Sequence, residues 1–166
     1  MNEEAFQRRV AAVALSATMP RGFALAGSGA IREHGLTNRR TADIDLGVDS
    51  RGREPVVLAI GAVLREIDAV ANKVVALFGR AEARDFLDVD AIRRSGRFTD
   101  ADLLNAAAEH DAGFDQRVFV DMLRSVQRMG SRRVAEYDVL GPELGQIKSR
   151  LLAWADEIER SLEQPA

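Results

Sequence analysis

Every stretch of this chain that reads convincingly as a β-strand lies in its first 50 residues, and from about residue 56 onward the apolar residues recur at helical spacing. The two strand signals are FALAG, residues 23–27, and ADIDLGV, residues 42–48, the second alternating apolar and polar as a half-buried strand does. Two strands are marginal as a free-standing sheet. The fold this permits is α+β and mostly helical: a small antiparallel or mixed sheet of two or three strands, covered by at least five helices.

The helices carry their own punctuation. Residues 3–17 read as a helix with Phe6, Val10 and Val13 on one face, ended by Pro20 and Gly22. Ser28 stands at an N-cap position before a short helix that Gly35 stops. Further on, Ile67, Val70, Val74, Leu77 and Phe78 share a face, with Gly79 as the stop. Residues 83–96 form another helix, ended by Gly96. Thr99 and Asp102 spell a capping box, and Asp115 caps the next helix, whose buried face is Phe119, Met122, Leu123 and Val126 and whose stop is Gly130. Pro142 opens a last helix with the stripe Leu144, Ile147, Leu151, Trp154, Ile158 and Leu162, which needs a surface to dock on. The sequence therefore divides into an α/β part over residues 1–55, a helical part over 56–140 and a terminal helix over 141–166, together one compact domain.

Composition excludes several classes of function. Hydrophobic residues make up 46% of the 166, enough for a core, and no cysteine is present, which removes disulfides, thiolate catalysis and cysteine-based zinc sites. The first ten residues are charged and read as no leader, and the longest apolar run, PVVLAIGAVL, is too short to cross a bilayer; the expectation is a cytoplasmic protein. A net charge of −3 argues against a small nucleic-acid-binding module, although Arg39 and Arg40, with Arg51 and Arg53, form local basic pairs that otherwise read as solvated faces.

Chemistry concentrates in residues 27–45. Asp43 and Asp45 are two apart on a strand, so both carboxylates face one side, roughly 6 to 7 Å apart at the backbone. Hard cations such as Mg²⁺ take carboxylate and phosphate oxygens, so a strand-borne Asp-x-Asp suits phosphoryl or nucleotidyl transfer. The Gly27–Ser28 step upstream allows close backbone approach to a phosphate. Lys73 falls off the apolar face of its helix, which reads as an exposed ammonium or as a phosphate-binding one. Asp85 and Asp88 are helical neighbours that can meet one partner, or pair with Arg84 at the surface. His34 and His110 have no matched ligand set and read as ordinary surface or cap histidines.

LAGSGAIREHGLTNRRTADIDL followed by DAVANKVVALFGRAEARDFLDVDAI resembles the AbiEii/AbiGii family, the nucleotidyltransferase toxins of bacterial toxin–antitoxin and abortive-infection systems. The resemblance covers about residues 5–140. It implies a polymerase-β-like nucleotidyltransferase sheet followed by a helical C-terminal half, and Mg²⁺-dependent transfer of a nucleotide from an NTP to RNA, such as tRNA, or to protein, with a cognate antitoxin as partner. On this resemblance Asp43 and Asp45 hold the metal and, with Asp88, are the catalytic carboxylates. Gly27, Ser28, Thr41, Lys73 and Asp85 are the nucleotide-binding residues.

One departure bears on activity. The family carries further strands between the Asp-x-Asp strand and the Asn-Lys helix, one bearing a third metal-binding carboxylate. Here only residues 47–70 intervene, which reads as an internal deletion. Asp49 would lie roughly 13 Å along the same strand from Asp45, and two-metal sites need their ions about 3.5 to 4 Å apart. The expectation is that Mg·NTP binding persists, weakened by Lys73→Ala, while transfer is weak or absent; transfer that depends on Asp43 would point to Asp49 or Asp68 as completing the site. The alternative is a non-catalytic, truncated homologue that acts as a partner-binding protein.

Overall fold

The computed structural model describes residues 3–39, 41, 43–48 and 52–164. Arg40, Asp49 and Arg51, named above, lie outside them. The chain divides into two compact units, Met1–Asn72 and Lys73–Ala166.

In the first unit, helix α1 (Glu3–Thr18) is followed by strand β1 (Ala24–Leu25), helix α2 (Gly27–Glu33) and strand β2 (Leu46–Gly47). Strands β3 (Val56–Leu58) and β4 (Gly61–Val63) then precede helix α3 (Glu66–Arg80), in which the two units meet along the chain. The sheet has four strands in the order β2-β1-β4-β3, with β1 antiparallel to β2, β1 parallel to β4, and β4 antiparallel to β3. It is therefore mixed, small and outweighed by helix, as an α+β chain with its strand signals near the start should be.

The expectation of two or three strands gives way to four, because residues 56–63 form a hairpin where a helix was read. PVVLAIGAVL is a continuous apolar run, and periodicity alone does not separate a buried strand from a buried helix. Pairing in the sheet selects the hairpin, and local features accommodate it: Val56 and Val57 are β-branched, and Gly61 at φ +128° takes a backbone conformation that other residues rarely adopt. The register pairs Leu58 with Gly61, leaving Ala59 and Ile60 as the turn.

Helix α1 packs on β1 and β4, with Ala11 and Leu15 buried. A side chain at Gly61 would meet Leu15 at 3.3 Å. Phe6, Val10 and Val13 do share a face, but it is the opposite one: they are 54%, 40% and 65% exposed. Alanine fills the difference. A helix rich in Ala, Val and Leu has two apolar sides, and the small side chains of Ala11 and its neighbours let the backbone approach the sheet more closely than Phe6 would.

The second unit is helical among its described residues: the rest of α3, then α4 (Ala83–Arg94), α5 (Asp100–His110), α6 (Gln116–Arg124), α7 (Ser131–Val134) and α8 (Gly141–Glu163). The Thr99–Asp102 capping box and the Asp115 cap both form. Thr99 donates to the Asp102 carboxylate through both its backbone and its hydroxyl, which holds that carboxyl below its ordinary range. Gly79 is not the stop of α3; the helix runs to Arg80 and the chain leaves through Ala81 at φ +48°, a left-handed position glycine usually fills. Likewise α6 ends at Arg124 and continues as a 3₁₀ turn over Ser125–Arg128 before Gly130. The stripe of α8 buries Leu144, Ile147, Leu151, Trp154 and Ile158 against α6, α4 and α7. An aromatic chain runs through this core: Phe78 to Phe114 at 5.1 Å, Phe114 to Phe119 at 5.3 Å, and Phe119 edge-on to Trp154 at 5.3 Å. Arg93 lies over the Trp154 ring, 4.4 Å from its centroid.

Candidate functional site

The first unit brings Gly27, Ser28, Asp45 and Arg39 around one turn. Strand β1 ends at Leu25, Ala26 takes the N-cap position in place of Ser28, and Gly27 starts α2 at φ +58°. Glycine is needed there twice over. An L side chain is strained at that φ, and a Cβ would fall 2.0 Å from Oδ2 of Asp45. The Asp45 carboxylate is thus seated directly on the turn. Its backbone is tied there too, since Ala26 N–H donates to the Asp45 carbonyl at 2.8 Å, extending the β1–β2 ladder.

Asp43 and Asp45 are both exposed, with half-buried Ile44 and Leu46 between them, so the alternation read from sequence holds although regular pairing covers only Leu46–Gly47. The Thr41 hydroxyl donates to the Asp43 carbonyl at 3.3 Å. Thr41 and Asp43 line a small cleft with Gln7, Arg8, Gly29 and Arg32. Its volume is about 40 Å³, room for a water or two and far below the 300 Å³ or more of a typical ligand pocket. Ser28 is only 5% exposed, and its hydroxyl accepts from Nη2 of Arg39 at 2.6 Å.

The second unit holds Lys73, Asp85 and Asp88, and it holds them differently from the surface roles read in the sequence. Lys73 is 4% exposed, and its Nζ lies 2.9 Å from Oδ2 of Asp88, whose side chain is fully buried. The helical wheel placed Lys73 off the apolar stripe. The helix is covered on that side as well, and the lysine stem is buried with its charge matched. Asp85 does not pair with Arg84. It takes a two-pronged contact from Arg80, Nε at 2.8 Å and Nη2 at 2.9 Å, while Arg84 reaches Glu82 at 3.0 Å. The side chain of Asp85 also accepts from the Glu82 N–H at 3.3 Å, closing the capping box of α4.

Asp90 was not singled out from sequence, yet it is 3% exposed and held by Arg150 through two bonds of 2.7 Å. The bond to Asp90 raises the Arg150 guanidinium further above its ordinary range. Sixty residues separate the pair, so no local signal could have announced it. Arg39 was read as one of a solvated pair; its meeting with Ser28 across eleven residues was equally silent. Asp68 is 2% exposed and bound by Arg53, within the first unit. His34 caps α2, and its Nε2 bonds the Leu64 carbonyl at 2.7 Å.

The fit to Mg²⁺ follows from this donor set. Two exposed carboxylates suit one Mg²⁺, which keeps waters and takes substrate phosphates as its other ligands. Among the described residues no group of three or more histidine or carboxylate side chains could hold a metal together, so they do not supply a two-ion cage. Among them, too, no helix is long and apolar enough to cross a membrane. No family model matches the chain, and neither the curated proteins nor the solved structures contain a match to it.

Proposed function

We propose that the chain is an AbiEii-like nucleotidyltransferase of the cytoplasm that binds Mg·NTP at Asp43 and Asp45, with RNA such as tRNA, or protein, as acceptor and an antitoxin as partner. Its transfer step is weak. The observation that carries this reading is the Asp45 carboxylate seated on the left-handed Gly27 at a strand–turn–helix junction, with the second carboxylate, Asp43, in the segment that leads into β2. A solvated acidic pair needs no such seat. The glycine makes room for that carboxylate at the cost of backbone freedom.

Asp43 and Asp45 would hold the cation, which when bound neutralises charge on the phosphates. Gly27 keeps Asp45 in place. Thr41 fixes the backbone of Asp43. Within the second unit, Asp88 holds Lys73 and Asp85 holds Arg80. Weak transfer follows from the short carboxylate set, because poor metal alignment strikes the transition state more than the ground state. The test is titration of Mg²⁺ and each labelled NTP into the whole chain, with tRNA as acceptor. The expected result is saturable, Mg²⁺-dependent binding that falls at least about tenfold in Asp43→Ala, with little label on tRNA. Robust transfer that vanishes in Asp43→Ala overturns the weak-transfer statement. Absence of Mg·NTP binding overturns the whole reading.

A second reading, a non-catalytic partner-binding protein, is favoured by the uncovered stripe Phe6, Val10 and Val13 on α1. It expects the product of an adjacent gene to co-purify with this chain and to be lost on Val13→Asp. Co-purification untouched by that substitution removes α1 as the contact.

A further inference from the structure

We propose that the cavity between α4, α5 and α8 is a binding site for a small phosphate monoester, whose phosphate group is held by Arg94 and Arg150. The site lies wholly within the second unit, and the inference stands independently of the Mg·NTP reading. The cavity has a volume of about 300 Å³, the lower end of the range for small-molecule pockets. Its lining is Asp90, Arg93 and Arg94 of α4, Asp100 of α5, and Arg150 and Ala153 of α8. Three arginines face two aspartates there, so the lining carries one positive charge in excess.

The acids decide which donors remain. Arg93 spends all three of its side-chain nitrogens: Nε and Nη2 on Asp100 at 2.7 Å each, and Nη1 on the Arg150 carbonyl at 3.3 Å. Arg150 spends Nε and Nη2 on Asp90, again at 2.7 Å each, which leaves Nη1. Arg94 is exposed, and its side chain makes no hydrogen bond or ion pair to a described residue. The remaining donors therefore belong to two guanidinium groups on different helices. A planar carboxylate is satisfied by one edge of one fork, as Asp90 and Asp100 are here. A tetrahedral phosphate presents oxygens in several directions and suits donors that arrive from two helices. One of the two is also fixed beforehand: Asp90 is 3% exposed and holds Arg150, so little side-chain freedom is lost there on binding. A cavity of 300 Å³ is roughly ten times the share of one water in the liquid, so it has room for more than a bare phosphate ion.

The test titrates inorganic phosphate, ribose 5-phosphate and acetate into the whole chain, in EDTA and at constant ionic strength. Binding is read by calorimetry and by the fluorescence of Trp154, the chain's one tryptophan, whose ring centroid lies 4.4 Å from the guanidinium carbon of Arg93 in the cavity lining. Ribose 5-phosphate is expected to bind more tightly than phosphate, and phosphate at least about tenfold more tightly than acetate. Arg94→Ala, which takes away no described partner, is expected to weaken ribose 5-phosphate about ten- to a hundredfold, the range of hydrogen bonds to a charged group. Arg132→Ala removes an exposed arginine of the same unit outside the cavity and should bind as wild type. Arg150→Lys keeps a charge beside Asp90 but loses the fork, and should bind severalfold more weakly. Equal losses in Arg94→Ala and Arg132→Ala would be a general charge effect and overturn the site. Unchanged affinity in Arg150→Lys removes Arg150 from it. Equal affinity for phosphate and its ribose ester overturns the monoester in favour of the free ion, and acetate binding as tightly as phosphate overturns the choice of a tetrahedral anion. Phosphate binding that Asp43→Ala abolishes and Arg94→Ala spares belongs to the first unit, and that result, like no saturable binding at all, overturns the proposal.

Discussion

Replacing Asp88 by alanine is expected to lower the unfolding free energy of the second unit by about 3 to 5 kcal/mol. The loss comes from what stays behind. Lys73 is 4% exposed and its ammonium lies 2.9 Å from the Asp88 carboxylate, so removing that carboxylate strands a charge away from water. Replacing both partners is expected to cost much less. Lys73→Met with Asp88→Leu keeps the volume and removes both charges, and such exchanges of buried pairs are often neutral. Urea titration followed by tryptophan fluorescence suits the measurement, because the chain has one tryptophan and Trp154 is fully buried in the second unit. A loss below about 1 kcal/mol in Asp88→Ala would mean that Lys73 reaches water without its partner, and the surface reading of this lysine would return.

Gly27→Ala is expected to abolish most Mg·NTP binding while costing only about 1 to 2 kcal/mol of stability, the penalty of a left-handed backbone on an L residue. The two effects have separate origins. The new Cβ would fall 2.0 Å from Oδ2 of Asp45, and the exposed Asp45 side chain would swing away at little energetic cost. The carboxylate would then leave its seat on the turn. Gly35→Ala is the matched control: Gly35 also has a positive φ, +73°, but a Cβ there meets nothing within 4 Å. It should lose similar stability and keep nucleotide affinity. Equal nucleotide affinity in Gly27→Ala and wild type would remove Asp45 from the proposed site.

Several elements were legible because their cause is local. The Thr99 capping box, the Asp115 cap and the Pro142 start are determined within a single turn, and all three form as read. The alternation of residues 43–46 is likewise a property of neighbours, and it survives even where the ladder is only two residues long. Other features depend on what packs against them. PVVLAIGAVL is equally apolar as strand or helix, and only the sheet it joins selects the hairpin. Which apolar side of α1 faces inward was undecidable from the helix alone, and the small side won. The site divides the same way. Gly27 and Asp45 could be paired through the resemblance, whereas Arg39 on Ser28 and Arg150 on Asp90 bridge eleven and sixty residues with no motif to link them.

Helix α4 buries three acids, and each is held by a cation from elsewhere: Asp85 by Arg80, Asp88 by Lys73, Asp90 by Arg150. Losing Arg80, Lys73 or Arg150 alone would take from a buried carboxylate the cation that holds it, so each acid is linked in inheritance to its cation. A lineage that lost Arg150 would leave the buried Asp90 carboxylate without this partner, and position 90 would be expected to follow. The acids that look most like a loose acidic face in the sequence are for that reason tied to cations elsewhere in the chain, the farthest of them sixty residues away.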